Sequence, residues 1–313
     1  MDEIERLARR IKLQDMRVLM AVVEAGSMHK AAERLRTSQP AISRTIADLE
    51  HALGVRLLER SPHGIQPTQY GRVLIKRGSA AFDEFRQGVK DIKFLADPSA
   101  GELRIGCTET MAAGPVLAVI EQLTRQHPRL VFHLVTGSIL ILYPALAARN
   151  VELVVSPALG TIPEEHVNVG NLFEDNTVVI AGAQSRWARR RKIGLEELVN
   201  EPWTLPPPGS TLALIVEAAF RARGLAPPVA TVVVDSSNIR NHLVASGRFL
   251  TVFPEYSLKF PGIGPSLKAL PVELPGARRT VKIVNLKNRS LSPLAELFID
   301  SMRALTRPLA KTR

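Results

Sequence analysis

Two abrupt breaks within a run of short helical repeats constrain this chain more than anything else in it. Met16, Leu19, Met20 and Val23 recur at i, i+3, i+4 and i+7 and form one apolar helix stripe. Gly26 stops that helix and Ser27 stands where an N-cap is needed for the next. Met28, Ala31, Ala32 and Leu35 then share a face, and Thr37 and Ser38 make a tight turn. A third helix starts at Ser38 with Pro40 in its first turn, where a missing N–H costs little. Ile42, Ile46, Leu49 and Leu53 are its buried stripe. Pro40, Arg44, Ala47 and His51 face the other way, with Gln39 and Ser43 on the flank nearest the N-terminus. Gly54 ends it. A hairpin is expected next, with strands at 55–58 and 65–67 around a turn at 61–64.

Helix, break, helix, turn, helix, hairpin is a winged helix-turn-helix layout, expected over 11–68 with its helix-turn-helix at about 28–47. The third helix of such a unit enters the major groove with its N-terminal residues leading. Gln39 can pair with adenine and Arg44 can donate bidentately to guanine. Ser27, Ser38 and Ser43 offer small polar groups, and Lys30 and helix N-termini suit phosphates. His63 would sit at the wing tip, in or beside the minor groove. The same residues also fit an ordinary helical bundle with exposed polar side chains. The net charge of +11 over 313 residues favours a polyanionic partner.

A long helix is expected at 68–95. Leu74, Gly78, Ala81, Phe85, Gly88, Ile92 and Leu95 alternate three and four apart, a seam suited to pairing two copies and also to packing the helix on its own domain. Residues 97–101, DPSAG, read as a linker. Strands and helices then alternate to the end of the chain, an α/β pattern with mostly parallel sheets. Strands are expected at 103–106, 130–135, 151–155, 177–181, 229–234, 249–253 and 281–284. Helices are expected at 111–126, 139–149, 212–223, 239–246 and 293–305.

The first eighty residues carry a long family resemblance. AGSMHKAAERLRTSQPAISR at 25–44, DLEHALGVRLLER at 48–60, and Pro67, Thr68 and Gly71 resemble LysR-type transcriptional regulators. GELRIG at 101–106 and VASGRFLTVFP at 244–254 resemble strands of that family's effector domain. The resemblance implies two α/β lobes like those of type-2 periplasmic binding proteins. One lobe is expected from about 102–173 and 274–306, the other from about 174–272. The expected parts are therefore a DNA-binding domain at 11–68, a linker and dimerisation helix at 69–96, and an effector-binding domain at 97–313. LPPPGS at 205–210, RFLTV at 248–252 and LKNRSLSP at 286–293 are similar to the subgroup named for the galactose-binding-protein regulator. That subgroup implies a sugar-like effector.

Ligand sites favour the carboxyl ends of parallel strands, where helices begin. Cys107, Thr108, Glu109 and Thr110 follow one strand; Thr136, Gly137 and Ser138 follow another. Ser210 and Ser236 open helices in the second lobe. The resemblance implies that Thr108, Thr110, Ser138 and Ser210 line a cleft between the lobes. Cys107, Gly137 and Ser236 are further candidates, Cys107 as a small residue packed beside the pocket. Each hydroxyl also reads simply as a helix cap, and Glu109 would oppose an anionic ligand if it points inward.

The single cysteine excludes an internal disulfide and zinc sites built on paired cysteines. No Gly-rich phosphate loop, nucleophile elbow or His-Glu-x-x-His motif is present, so an enzyme is not expected. No metal or cofactor is expected either. Residues 1–12 are mixed in charge and do not read as a secretory signal, and no stretch is apolar enough to span a membrane. A solute-binding transport protein would share the α/β region but lack the winged helix. RWARRRK at 186–192 reads as a solvated basic turn. The expectation is a cytoplasmic dimer or tetramer, paired through 68–96 and the effector domains. Its partners would be promoter DNA, a small effector and, through contact at the promoter, RNA polymerase.

Overall fold

The computed structural model describes residues 3–61, 64–157, 162–260 and 266–309. The chain forms two compact units, residues 1–89 and 90–313.

The first unit begins with α1 (Glu3–Arg10), α2 (Leu13–Ala25), α3 (Met28–Leu35) and α4 (Gln39–Leu53). Gly26 takes φ 65° and ends α2. Ser27 is the N-cap of α3 by position, without a side-chain capping bond. At the other end of α3, Arg36 takes φ 52° and the Thr37 N–H donates to the Ala32 carbonyl at 3.0 Å. The turn is thus closed by backbone bonds where no glycine stands. Leu19, Val22, Ala31, Ile42, Ile46, Leu49 and Leu57 form the core of this unit, and Leu53 is half-buried at its margin.

The wing pairs β1 (Leu58–Ser61) with β2 (Gly64–Pro67), Leu58 opposite Pro67. Its first strand lies three residues beyond the expected 55–58. Glu50 is the reason: one carboxylate oxygen accepts the N–H groups of Leu57 at 2.7 Å and Leu58 at 3.1 Å. Those donors are tied to α4 and not to a neighbouring strand. The Ile65 N–H donates to the Gly26 carbonyl at 2.9 Å, and a Cβ on Gly64 would meet that oxygen at 2.7 Å. The wing is therefore pinned against the corner between α2 and α3. His63, the expected tip, lies outside the described residues.

Helix α5 (Gln69–Ala96) starts at Thr68, whose hydroxyl oxygen accepts the Gly71 N–H at 3.1 Å. A Cβ on Gly71 would lie 2.1 Å from the Leu57 carbonyl oxygen, so only glycine fits this approach. The expected pairing seam divides in two. Leu74 and Ile75 pack on the core of the first unit, and Gly78 is buried against Met16. Phe85, Val89, Ile92 and Leu95 are 56–69% exposed.

The second unit runs through β3 (Ala100–Cys107), α6 (Glu109–Met111), α7 (Leu117–Gln126), β4 (Arg129–Thr136), α8 (Ile139–Ala147), β5 (Leu153–Ser156) and β6 (Val167–Asp175). It continues with β7 (Thr177–Gly182), β8 (Trp203–Leu205), α9 (Thr211–Ala222), β9 (Ala230–Val233) and α10 (Ser237–Ala245). It closes with β10 (Leu250–Pro254), β11 (Leu267–Ala269), β12 (Arg279–Leu286) and α11 (Pro293–Thr306). Two five-stranded sheets result, ordered β4-β3-β5-β12-β6 and β11-β7-β10-β8-β9.

Two expectations are corrected here. The sheets are mixed: β3, β4 and β5 pair in parallel, as do β8, β9 and β10, whereas β6, β7, β11 and β12 pair antiparallel. The cause is the crossing between sheets. Only Asn176 separates β6 in one sheet from β7 in the other, so the chain passes straight across without a helix to reverse it. The single helix expected at 111–126 is broken, because Gly114 leaves helical geometry (φ −121°, ψ −111°) just before Pro115. Residues 97–101, expected as a linker, carry local bonds: Asp97 accepts both the N–H and the hydroxyl of Ser99, and β3 begins at Ala100.

Each sheet has its own core. Leu103, Ile105, Leu123, Phe173, Tyr256 and Phe298 fill the first. Trp203, Phe220, Val216, Leu250 and Val252 fill the second.

Candidate nucleic-acid interface and effector cleft

Helix α4 turns its apolar stripe inward, with Ile42, Ile46 and Leu49 at 1–3% exposure. Its other face is fully presented: Gln39, Pro40, Ser43, Arg44, Ala47 and His51 are all exposed. The Ser38 hydroxyl caps the helix by accepting the Ala41 N–H at 3.4 Å. Ser43 donates to the Met28 sulfur at 3.6 Å, which fastens the start of α4 to α3. Gln39 and Arg44 make no side-chain hydrogen bond or ion pair among the described residues, and Lys30 on α3 is likewise exposed and unpaired. Ser27 is half-buried at the foot of α3. The seven expected DNA-facing residues that are described thus gather on α3 and the first half of α4. Their free donors point away from the core.

A cleft of about 750 Å³ opens in the second unit between the two sheets. Thr108, Thr110, Gly137 and Ser138 line it from one side, and Ser210 and Ser236 from the other. The wall is rich in hydroxyls because three helices, α8, α9 and α10, begin there. Ser210 and Ser236 each cap their own helix, bonding Ala213 N–H and Ile239 N–H at 3.4 Å. Ser138 stands at the N-cap of α8 without such a bond, so its hydroxyl is available to a ligand.

Cys107 does not belong to this wall. Its side chain is fully buried in the core of the first sheet, and burial pushes its thiol up to about 12. Alternation along β3 sends Leu103, Ile105 and Cys107 to the inner face, and the lining begins one residue later, at Thr108.

Several lining residues carried no sequence signal. Arg240 sits one turn into α10, 3% exposed, and donates to the carbonyls of Val234 and Asp235 at 3.2 and 3.1 Å. Burial lowers the affinity of its guanidinium for its proton, which Glu109 and Asp235 partly restore. Arg279 on β12 donates to the Thr177 hydroxyl at 3.2 Å, across the point where the sheets join. Asp175 ends β6 and accepts the Tyr256 N–H at 2.9 Å. Burial pushes its carboxyl up to about 6, Glu255 adds to the rise, and the Tyr256 N–H opposes it. Tyr256 in turn donates to Thr110 at 2.9 Å, holding that hydroxyl in the wall. Glu109 does point inward. Its carboxylate crosses the cleft to accept the Ser237 N–H at 2.6 Å and the Ser236 hydroxyl at 3.4 Å.

Among the described residues no cluster of three or more His, Cys, Asp or Glu is placed to hold a metal ion. No described helix is long and apolar enough to cross a membrane. The basic turn at 186–192 is braced internally. Arg186 and Arg190 pair with Glu201 and Glu197, and both stack near the buried Trp187.

Comparison with known proteins places the two matched regions of the chain in one family. Residues 13–72 match the bacterial regulatory helix-turn-helix protein of the lysR family, and residues 96–307 match the LysR substrate binding domain. The HTH-type transcriptional regulator GbpR of Azospirillum brasilense is 30% identical over 304 residues, covering 95% of this chain and 87% of that protein. The transcriptional dual regulator GltC of Bacillus subtilis is 29% identical, covering 93% and 96%. Among solved structures, a full-length OxyR variant of Pseudomonas aeruginosa aligns with TM-score 0.61 at 25% identity, covering 95% and 97%. Full-length CbnR in complex with its target DNA shares the fold, with TM-score 0.60 at 21% identity over 94% of this chain and all of that one. The chain belongs to the LysR family: it is a DNA-binding transcriptional regulator with a C-terminal effector-binding domain.

Proposed function

We propose that the exposed face of α4 reads operator bases and that the cleft between the two sheets binds the effector. The free side chains of Gln39 and Arg44 in the first half of α4 carry this reading. Both present donors with no partner among the described residues, at the end of the helix that leads into a major groove. Ser38, Pro40 and Ser43 shape that helix start, while Lys30, Ser27 and the α3 N-terminus hold phosphates. His63 is proposed as a groove contact from the wing.

The domain limits proposed for this division of labour are 11–68, 69–96 and 97–313. Two copies pair through 68–96, using Phe85, Val89, Ile92 and Leu95, whose exposure on one helix needs a covering partner. Two such pairs joined through effector domains make a tetramer. The protein works in the cytoplasm, where its DNA is.

Thr108, Thr110, Gly137, Ser138, Ser210 and Ser236 form the effector wall. An effector acts by binding one arrangement of the two sheets more tightly than another, which alters the spacing of the DNA-reading helices and the contact with polymerase. A hydroxyl-rich wall accommodates a sugar-like molecule. No aromatic ring among the lining residues offers a platform for a sugar face, so polar groups would supply the specificity.

The test is a fluorescence titration of the purified protein against DNA from its own upstream region, with random DNA as competitor. Specific binding about a thousandfold above random supports base reading. Binding that weakens with salt but ignores sequence removes Gln39 and Arg44 as base readers.

A further inference from the structure

Glu109 and its receptor lie on opposite sides of the cleft. The carboxylate comes from α6, directly after β3 of one sheet. The receptor is the first turn of α10, which packs with the other sheet. Ser237 supplies a backbone N–H, Ser236 a hydroxyl, and Arg240 a cation one turn on. Backbone N–H, hydroxyl and positive charge around one point make a carboxylate site, reinforced by the positive end of the helix. Arg240 adds an independent sign. It is 97% buried at the cleft wall, and its Nε has no hydrogen-bond partner among the described residues. A buried guanidinium donor left over beside an acid-binding turn points to a ligand with more acceptor oxygens than Glu109 provides.

We infer that Glu109 is a resident occupant of a carboxylate site at the start of α10, and that the effector carries a carboxylate that takes its place as Glu109 turns out of the cleft into water, where it no longer opposes an anion. The inference rests on the reading of the cleft as the effector site and names the ligand class within it. Glu109 has two consequences in this account. With the cleft unliganded it latches one sheet to the other. It also sets a threshold, because a tethered acid competes at an effective concentration on the order of millimolar. A simple acid loses that competition; an acid that also engages Ser138 or the Arg240 Nε wins it. An acid-bearing polyol satisfies both the hydroxyl wall and the carboxylate site.

The experiment is chemical rescue in the full-length protein. Glu109→Ala empties the site. Its thermal midpoint should fall by about 2 °C. Sodium acetate should restore it, while sodium chloride at equal ionic strength and acetamide should not. Half-restoration should need about tenfold less acetate than any acetate response of the native protein. Adding Ser237→Pro removes the receiving N–H at a helix position that tolerates proline, and should abolish the rescue. Glu109→Gln keeps the shape and loses the charge. It carries the test if the alanine variant does not fold, and its midpoint should lie below the native one. Acetate acting no better than chloride, rescue persisting with Ser237→Pro, or a native midpoint in Glu109→Gln would each overturn the inference. If rescue holds but Ser138→Leu leaves the effector response intact, the cleft reading fails and the carboxylate site stands.

Discussion

The exposed face of α4, proposed to read bases, and the cleft between the two sheets, proposed to hold the effector, are built on opposite plans. The α4 face comes from one helix and its neighbour. Its polar side chains are exposed, and those of Gln39 and Arg44 make no hydrogen bond or ion pair among the described residues. The cleft draws on segments spread from Thr108 to Arg279, and most of its polar groups are already engaged with each other. Glu109 bonds to Ser236 and Ser237, Tyr256 to Thr110, and Arg279 to Thr177. The first plan separates binding from stability, since an exposed unpaired side chain can change without unpairing a buried group. The second couples them, since a change in the cleft disturbs bonds that hold the two sheets together.

The largest expected effect tests whether the cleft is the effector site at all. Ser138→Leu places an apolar branch at the open N-cap of α8 and should abolish the effector response, with basal DNA binding unchanged in the same titration. A normal response would remove Ser138 from the site. Next in size, Arg44→Ala should cost about 1–3 kcal/mol on the specific site and relax base preference there. Thermal stability should move by no more than about 0.5 kcal/mol. An equal loss on random DNA would show that Arg44 meets only phosphate, and a large drop in stability would break the proposed separation.

Asp175 probes the coupled plan. Its carboxyl titrates at about 6 in the folded chain against an ordinary 3.8, so folding favours the protonated form. That contribution is complete below about pH 4 and is lost as pH rises through 6. Above it, the charged Asp175 burdens the fold. Asp175→Asn should therefore stabilise the protein at pH 7 by about 1 kcal/mol, allowing for its partial exposure, and the gain should vanish near pH 4. Thermal melts across that range decide it, and a variant that is no more stable at pH 7 would contradict the account. The smallest effect belongs to Lys30→Ala. It should weaken binding to all sequences alike and lower the salt slope by about one, read from affinity against salt concentration. A sequence-dependent loss would make Lys30 a base reader.

The same contrast explains what could be read from the amino acids alone. The face of α4 was legible because a local period and two breaks fix which side is buried. Ile42, Ile46 and Leu49 go inward, so Arg44 must go outward. The hydroxyls at strand ends were legible for a similar reason, since Thr108, Ser138, Ser210 and Ser236 sit next to helix starts. Cys107 is packed behind the wall and does not line it, and a position relative to a strand end does not say which face its side chain takes. Asp175 and Arg279 were hidden because crossover strands bring them together, and Arg240 because its partner Glu109 lies far away in the sequence. β6 escaped notice for want of clean alternation, its burial running irregularly from Val167 to Asp175. The first wing strand slipped by three residues because Glu50, a side chain seven positions upstream, takes the N–H of Leu57. No local pattern reports such a bond.

The most direct test of the central claim is selection of bound duplexes from a random DNA library by the native protein and by Arg44→Ala in parallel. The native protein should enrich a two-fold motif with half-sites about one helical turn apart, or a multiple of it. Arg44→Ala should keep the spacing and lose preference at one symmetric pair of positions. No enriched motif, or an identical motif from both proteins, would contradict α4 as the reading helix with Arg44 as its base contact.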